Sequence, residues 1–483
     1  MSPREILTVA EMSAADAAAI QAGTPGLVLM RRAGEAVAAE IMRRFTPRPT
    51  AVLCGPGNNG GDGYVVARVL KASGWDVWVE ALAPPATDDA KAAASEWTGE
   101  TTGLAAQARD AALFIDALFG AGLARPLSGE AARLARASER MPERFIAIDL
   151  PSGLGGDLSA PAGDAFRAGL TVTFHRRKPA HVLQPGRARC GEVVVADIGL
   201  GESAATLFEN GPDLFGARMP WPDVAAHKHS RGRMIVVSGE AWSTGAARLA
   251  ARSGLRAGAG LVTLLSPPES LRSNAAHLEA VMLAPFDSEV ELEAAAAHVD
   301  AAVIGPAAGV SEETLVNVLA LARTGAALVI DADALTVFRD DAAELFAVLD
   351  RDDVMTPHPG EFDRIFPGLL AKSPERITAT REAARRAGGV VVLKGPDTVI
   401  AAPDGRAAVN LNGSPWLATA GSGDVLAGLI GGLIAQGMES FEAACAAVWI
   451  HAEAAAGFGP GLTSEDLPNL VPPILKRLYG NRA

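Results

Sequence analysis

The pattern of hydrophobic and polar positions alternates between short apolar runs and longer amphipathic stretches. Short apolar runs predict buried strands, and in the first half they fall at residues 50–55, 76–81, 113–120, 145–150, 171–174 and 193–195. Residues 12–45, 64–73 and 244–257 have the spacing of helices instead, with a Gly-Pro break inside the first of these stretches. The alternation predicts an α/β protein whose mostly parallel strands are covered on both faces.

A second series of strands begins after residue 230 and predicts a second domain. Its apolar runs lie at residues 234–238, 301–304, 326–330 and 390–393. Between the two series, residues 201–226 lose the strand–helix alternation and contain Pro220-Trp221-Pro222. We therefore predict a first domain over residues 1–215 and a second over residues 225–483.

Composition and charge narrow the class of protein. The chain has 483 residues, of which 49% are hydrophobic and 20% charged, and its formal net charge is -13. The negative charge argues against nucleic acid or a membrane surface as the main partner. Neither a signal peptide nor an apolar run of membrane-spanning length is evident, and Cys54, Cys190 and Cys445 lack metal-type spacing. These features favour a cytoplasmic enzyme.

The stretch PWLATAGSGDVLAGLIGGL, residues 415–433, carries the clearest chemical signal in the second half. It predicts a glycine-rich turn followed by Asp424 in the first turn of a helix. Glycine amides and a helix N-terminus together suit a phosphate, and Asp424 would be placed to accept a hydroxyl proton. The alternative is that Asp424 only stabilises the helix N-terminus. No Walker A motif is present.

Polar residues follow several predicted strands of the first half. A strand, the loop GPGNNGGDG at residues 55–63 and a helix form the phosphate-binding corner of a doubly wound sheet, although an ordinary tight turn is the alternative. The side chains just past strand ends are Asn58, Asn59, Asp116, Asp149 and Ser152. Ligands bind at this edge of open α/β sheets. Asp149 is our candidate for the general acid/base of this site.

In the motifs EMSAAD, GPGNNGGDG, DALFGAGL, IDLPSGL and TVTFHRRKP, the first half resembles the NAD(P)H-hydrate epimerase (YjeF N-terminal) family over roughly residues 8–200. The resemblance implies a Rossmann-like three-layer αβα fold that binds a hydrated nicotinamide cofactor and a potassium ion, K⁺. The residues it implies for substrate binding are Asn58, Asn59, Gly60, Gly61, Asp62, Gly120, Ala121, Gly122, Leu123, Ala124, Arg125, Pro126 and Asp149. For potassium it implies Asn59, Asp116 and Ser152.

The second half resembles the ribokinase-like superfamily and, within it, the ADP-dependent NAD(P)H-hydrate dehydratase (YjeF C-terminal) family. The motifs are HKHSRGRMIVVSG, TPHPGEF, VVLKGPDTVI and TAGSGDVLAGLIGGL, within about residues 227–478. The substrate contacts that the resemblance implies are Ala247, Gly309, His358 and Asp424. The nucleotide contacts that it implies are Lys394, Gly395, Pro396, Asp397, Thr398 and Gly423.

Together the two resemblances imply one bifunctional enzyme that repairs hydrated nicotinamide cofactors. One domain would interconvert the R and S epimers of the NADH and NADPH hydrates (NADHX and NADPHX), with Asp149 as its catalytic residue. The other would use ADP and Mg²⁺ to dehydrate the S form, giving AMP and phosphate, with Asp424 as its catalytic residue. A homo-oligomer, tetrameric or larger, is also implied.

Two other functions remain open from the residues alone. One is a kinase for a small hydroxylated substrate, fused to a ligand-binding domain, and the other is a non-catalytic nucleotide sensor. His227 and His229 beside Lys228 could suggest a metal site, but such a pair is more typical of a solvated basic loop.

Overall fold

The computed structural model describes residues 4–105, 111–123, 125–202 and 204–481, and it divides the chain into two compact units. The first unit is Glu5–Ala205, and the second is the described part of Thr206–Ala483 with Arg4. Each unit contains one sheet with helices on its faces. The predicted α/β class is confirmed.

The first unit is built on a seven-stranded, entirely parallel sheet with the order β3-β2-β1-β4-β5-β6-β7. Its strands are β1 Thr50–Cys54, β2 Val77–Ala81, β3 Thr101–Gly103, β4 Leu113–Ala117, β5 Phe145–Ile148, β6 Leu170–Phe174 and β7 Glu192–Ala196. Its α-helices are α1 Val9–Gln21, α2 Gly26–Arg44, α3 Asn58–Ala72, α4 Asp88–Ser95 and α5 Gly129–Ser138.

Strand β1 illustrates why the apolar runs are continuous rather than alternating. Every residue of β1 is buried. Val52 and Cys54 belong to the core that includes residues of α2 and α3, whereas Ala51 and Leu53 belong to the core that includes residues of α5. A central parallel strand therefore needs apolar side chains on both faces of the sheet.

The second unit contains a ten-stranded sheet with the order β11-β10-β9-β12-β13-β14-β15-β16-β17-β8. Its strands are β8 Leu207–Asn210, β9 Arg233–Val237, β10 Leu261–Ser266, β11 Met282–Pro285, β12 Ala301–Ile304, β13 Ala327–Ile330, β14 Val354–Met355, β15 Val390–Leu393, β16 Val399–Ala401 and β17 Ala407–Asn410. All neighbouring strands are parallel except the pairs β15–β16 and β16–β17.

Thirteen α-helices complete the second unit. They are α6 Pro212–Phe215, α7 Gly245–Ala257, α8 Leu271–Ala275, α9 Glu289–Ala296, α10 Glu312–Ala322, α11 Asp333–Thr336, α12 Ala342–Phe346, α13 Pro359–Ile365, α14 Leu369–Lys372, α15 Arg376–Ala387, α16 Ser422–Ile434, α17 Ser440–Phe458 and α18 Leu467–Gly480, among the described residues. The core of this unit includes apolar residues of α7, α16, α17 and α18.

The division between the units differs from the predicted end of the first domain at residue 215. It falls between Ala205 and Thr206, because residues 207–210 form β8, which pairs with β17 of the second sheet. Asn210 Nδ2 also donates to Asn410 Oδ1 at 3.0 Å. This short edge strand has too few apolar residues to be recognised from its sequence pattern.

The predicted glycine-rich loop at residues 55–63 is mostly helix. Helix α3 begins at Asn58, so the glycines from Gly60 to Gly63 lie inside it. A Cβ added at Gly60 would lie 1.8 Å from the carbonyl oxygen of Gly55. Close packing against the end of β1, rather than turn formation, therefore requires glycine at this position.

In the part of the chain that the structure describes, every helix is too short or too polar to cross a membrane. His227 and His229 are exposed, and the described residues contain no cluster of three His, Cys, Asp or Glu side chains arranged to hold a metal ion.

Candidate active sites

The first site is a pocket of about 720 Å³ at the carboxyl ends of β1, β4 and β5. Residues predicted from the sequence that line it are Asn58, Asn59, Asp62, Gly120, Ala121, Gly122, Leu123, Arg125 and Asp149. Three other predicted residues, Gly60, Gly61 and Pro126, do not line it. Gly60 and Gly61 are buried within α3 and Pro126 is exposed, while Ala124 lies outside the described residues. The sheet edge therefore assembles most of the predicted substrate contacts.

Asp149 is held by three hydrogen bonds. Its Oδ1 accepts from Lys178 Nζ at 2.8 Å and from Thr173 Oγ1 at 3.0 Å, and its Oδ2 accepts from the amide of Ala121 at 2.9 Å. Burial alone would raise the pKa of Asp149, but the Lys178 ammonium outweighs that effect and lowers the pKa to about 2. The lowered pKa makes Asp149 an ionised carboxylate and a weaker base than an unpaired aspartate, and its role in proton transfer stays a prediction.

Lys178 was missed as a site residue, although it lies in the TVTFHRRKP motif. Its side chain is 2% exposed, and Nζ also contacts Thr173 Oγ1 at 2.9 Å. The backbone amide of Lys178 donates to His181 Nδ1 at 2.9 Å, so Nε2 of His181 carries the proton and donates to the Asp149 carbonyl oxygen at 2.8 Å. Burial and Lys178 lower the pKa of His181 to about 4, and the ring is neutral. Lys178 and His181, which both follow β6, thus hold the carboxylate and the backbone carbonyl of Asp149.

Two further carboxyl groups line the same pocket. Asp62 lies on α3, and Asp16, in the EMSAAD motif, lies on α1. Burial and then the neighbouring charges of Asp149 and Asp16 raise the pKa of Asp62 well above its usual value. Burial also raises the pKa of Asp16, and Lys178 opposes this shift. Sequence reasoning gave Asp16 no role, since nothing in the pattern of α1 indicates that it reaches the pocket.

The three predicted potassium ligands, Asn59, Asp116 and Ser152, all have side-chain oxygen atoms. Asp116 is fully buried, and its carboxylate accepts from the amide and the hydroxyl of Ser152, both at 2.7 Å. Ser152 Oγ also lies 3.0 Å from the carbonyl oxygen of Phe119. Burial raises the pKa of Asp116 to about 6 against these hydrogen bonds. Asn59 has a buried Nδ2 with no hydrogen-bond partner among the described residues. The Asp116 carboxylate, the Ser152 hydroxyl and the side-chain carbonyl of Asn59 are oxygen donors of the kind that hard cations bind.

The second site is organised by the N-terminus of α16. Gly421 precedes the helix with a left-handed φ of 86°, which favours glycine, and Asp424 lies in the first turn as predicted. The first amides of a helix have no intrahelical acceptor, so they are available to an anion. Burial, followed by the charge of Asp331, raises the pKa of Asp424 to about 7. A carboxylate with this pKa can accept a proton near neutral pH.

Lys394 connects the carboxylates of this site. Its Nζ lies 2.8 Å from Asp331 Oδ1 and 3.8 Å from Glu361 Oε2. A Cβ at Gly423 would come within 3.3 Å of the same nitrogen. Asp331, Glu361 and Asp424 raise the pKa of Lys394 although burial opposes them, so the side chain remains an ammonium. Asp331 and Glu361 had no assigned role in the sequence analysis.

Other predicted residues of the second site have structural partners of their own. His358 caps α13, where its Nδ1 accepts from the amide of Gly360 at 2.9 Å, and the imidazole is half exposed. Gly309 donates its amide to Asp333 Oδ2 at 3.0 Å. Ala247, in the first turn of α7, is fully buried in the core, backbone included.

The predicted nucleotide segment, residues 394–398, is divided between surface and interior. Gly395 and Pro396 are exposed. Thr398 Oγ1 donates to the carbonyl oxygen of Gly395 at 2.9 Å, which closes a tight turn after β15. Asp397 is 1% exposed and lies 3.6 Å from Arg376 Nε. Its carboxylate therefore faces the interior, and a nucleotide could contact this turn through the other residues.

Comparison with protein families gives two matches in the same order as the two units. Residues 26–180 match the YjeF-related protein N-terminus family, and residues 234–468 match the NAD(P)H-hydrate dehydratase family.

The chain is similar along its length to curated proteins described as bifunctional NAD(P)H-hydrate repair enzymes. It is 34% identical to the one from Pyrobaculum aerophilum, with 98% of each chain covered. It is 35% identical to the one from Moorella thermoacetica, with 98% of this chain and 97% of the other covered. Among solved structures, a ribokinase-like superfamily protein from Enterococcus faecalis matches with a TM-score of 0.52 and 22% identity, over 58% of this chain and 98% of that one. This last likeness concerns the fold alone.

Proposed function

Because the chain belongs to the family of bifunctional NAD(P)H-hydrate repair enzymes, we propose that its two units catalyse consecutive steps. The first unit interconverts the R and S epimers of NADHX and NADPHX. The second uses ADP to dehydrate the S epimer, which yields NADH or NADPH with AMP and phosphate. The observation that carries this proposal is the position of Asp424 in the first turn of α16, beside helix amides that can hold a phosphate.

In the second unit, dehydration needs a better leaving group than hydroxide. We propose that Asp424 takes the proton of the substrate hydroxyl, whose oxygen attacks the β-phosphorus of ADP while AMP leaves. The C–O bond then breaks and phosphate departs with its electron pair. Loss of a proton from the neighbouring ring carbon forms the double bond of the reduced cofactor.

The charges around Asp424 support this assignment. The amides that follow Gly421 would stabilise the negative charge that develops on the transferred phosphoryl group, and Lys394 supplies an ammonium beside them. Because Lys394 is bound to Asp331 at 2.8 Å, it is fixed in place before substrate arrives. His358, Gly309 and the turn after β15 remain proposed contacts for the hydrate and the nucleotide.

In the first unit, we propose that Asp149 binds and orients the hydrate. Its Oδ2 and the amide of Ala121 lie at the wall of the pocket, beside Asn59 and Gly120. A Cβ at Gly120 would lie 2.9 Å from Asp149 Oδ2, so glycine leaves this carboxylate accessible. Ionised Asp149 can accept hydrogen bonds from ligand hydroxyl or amide groups, which fixes the ring relative to the rest of the pocket.

Two cations are part of the proposal. Potassium would be held by Asp116, Ser152 and Asn59, and when bound it supplies a fixed positive charge next to the substrate pocket. Mg²⁺ binds chiefly through nucleotide phosphates and needs only one or two carboxylates from the protein. It would therefore enter the second site with the nucleotide. A homo-oligomeric assembly stays a prediction.

The decisive experiment follows the recovery of reduced nicotinamide absorbance after purified protein is added to a mixture of both NADH hydrate epimers with ADP and Mg²⁺. Complete recovery is expected, because the epimer that the second unit rejects is converted by the first. Recovery of one epimer's share alone would contradict epimerisation. Absence of recovery with ADP or ATP would contradict the dehydratase assignment and favour a kinase for another substrate.

A further inference from the structure

The first pocket contains more carboxyl groups than its one buried lysine can neutralise. Asp16, Asp62 and Asp149 all line it, together with Lys178. Lys178 is committed to Asp149 at 2.8 Å and to Thr173 Oγ1 at 2.9 Å. Asp16 and Asp62 therefore share this pocket with a carboxylate that is already ionised, and a proton on either of them relieves the repulsion.

Helix α1 holds Asp16 at the pocket through fixed contacts at its N-terminus. Thr8 Oγ1 accepts from the amide of Glu11 at 3.2 Å, and the amide of Thr8 donates to Glu11 Oε2 at 2.7 Å, which forms a capping box. The amide of Val9 also donates to Asp157 Oδ1 at 2.8 Å, in the loop after β5. Met12 and Ser13 from the same helix line the pocket beside Asp16. The position of Asp16 is therefore set by the fold.

Epimerisation at the hydrated carbon needs a proton donor and a proton acceptor at the same pocket. The hydroxyl must leave one face of the ring and water must add to the other. Asp149 is a weak base because of Lys178, and His181 is a neutral donor already bound to a backbone carbonyl. Apart from Asp149 and Lys178, the titratable side chains that line the pocket in the described residues are Asp16 and Asp62, with Arg125 exposed at its edge.

We propose that Asp16 and Asp62 are the acid–base pair of the first unit, and that Asp149 with Lys178 is the element that orients the substrate. This inference rests on the proposed epimerisation. It assigns a chemical role to Asp16 and moves proton transfer away from Asp149.

The step balances without any oxidant or reductant. The protonated carboxyl of the pair gives its proton to the hydroxyl oxygen, and the C–O bond breaks so that water leaves with the bonding electrons. The lone pair of the adjacent ring nitrogen stabilises the resulting cation. Water then adds to the opposite face, and its proton goes to the ionised member of the pair. The reverse reaction exchanges the two roles, as conversion in both directions requires.

The test uses the full chain and the epimer that the second unit does not consume, without ADP, and follows its conversion by chromatography. Asp62→Asn and Asp16→Asn should each lower kcat about 100-fold or more with KM changed less than about threefold. Asp88→Asn is the matched control, since Asp88 is a fully exposed acid of the same unit, and it should behave as wild type. A kcat within about threefold of wild type in either pocket variant overturns the pair. Failure of the wild-type protein to epimerise would instead refute the proposed function itself.

Stability separates this role from a structural one. A carboxyl whose pKa is raised in the folded state destabilises that state once it is ionised, so Asp62→Asn should raise the melting temperature at pH 8, with a difference that shrinks as the pH falls towards 4. Loss of kcat together with a raised melting temperature supports the proposal. Loss of kcat together with a lowered melting temperature would assign Asp62 a structural role and overturn it.

Discussion

Each unit contains an aspartate and a lysine in its candidate site, yet the two aspartates bind protons with very different affinity. The pKa of Asp149 is lowered to about 2, whereas that of Asp424 is raised to about 7. Both side chains are largely buried, and burial raises the pKa in both cases. Burial alone therefore does not account for the difference.

The difference lies in which carboxylate the lysine contacts. Lys178 donates directly to Asp149 at 2.8 Å. Lys394 makes its 2.8 Å contact with Asp331 instead. The positive charge of Lys394 lowers the pKa of Asp424, but burial and the negative charges of Asp331 and Asp333 outweigh it. The same pair of residue types thus yields a carboxylate with a lowered pKa in one unit and a carboxylate with a raised pKa in the other.

Asp424→Asn tests the proton acceptor and has the largest expected effect. It should lower kcat for dehydration about a thousandfold, because the substrate hydroxyl loses its base, while ADP binding and epimerisation persist. Asp340→Asn is a suitable control, since Asp340 is an exposed acid of the same unit. Dehydration at more than about a tenth of the wild-type kcat in the Asp424 variant would contradict the assignment.

Lys178→Met breaks the ion pair of the first unit. It leaves the Asp149 carboxylate buried without its cation, which should cost about 3 kcal/mol of unfolding free energy in that unit. Hydrogen exchange resolved by segment measures this loss, and the second unit should be unaffected. The double variant Lys178→Met with Asp149→Asn should recover most of it. Equal losses in the single and double variants would show that packing, not charge, makes Lys178 important.

The same ion pair has a pH signature. A carboxyl whose pKa is lowered in the folded state stabilises that state above its unfolded pKa, near 4, and this contribution disappears as the pH falls towards 2. In Lys178→Met the contribution is absent at every pH above this range. The stability difference between wild type and variant should therefore narrow in acid.

Asp331→Asn should lower the pKa of Asp424 and so make it more like that of Asp149. It removes the negative charge that raises the pKa of Asp424 most and frees Lys394 to approach Asp424, and both changes lower that pKa. In wild type, kcat for dehydration should decline below about pH 7 as Asp424 takes up a proton. In the variant this decline should move to lower pH by about one unit. A pH profile that does not move would mean that Asp331 does not control Asp424.

The local sequence pattern was sufficient to predict most strands and several residues of the two candidate sites. Apolar runs located most strands, and strand ends located Asn58, Asn59 and Asp149, because parallel strands bring their carboxyl ends to one edge. Asp424 was also found, since a glycine turn before an apolar helix is a local signal.

The residues that set the pKa values of Asp149 and Asp424 could not be predicted from the sequence pattern in the same way. Lys178 reaches Asp149 across 29 residues through β6 and the turn after it, and Lys394 reaches Asp331 across 63 residues between β13 and β15. Asp397 was expected in the nucleotide site, but its pairing with Arg376 from α15 turns it inward. Which charged side chains pair with each other depends on the tertiary packing that brings them within hydrogen-bond distance. The pattern of charges along the chain does not reveal these pairings.

Matched threonine substitutions provide the finest test of the comparison. Thr173 Oγ1 donates to Asp149 and accepts from Lys178, whereas Thr356, which follows β14, has a buried Oγ1 with no hydrogen-bond partner among the described residues. Thr173→Val should therefore cost about 1 kcal/mol and raise the pKa of Asp149, while Thr356→Val should be close to neutral or slightly stabilising. Chemical denaturation of both variants measures the difference. Equal costs at the two positions would show that the hydroxyl of Thr173 adds nothing to the ion pair, and the low pKa of Asp149 would then depend on Lys178 and the backbone amide alone.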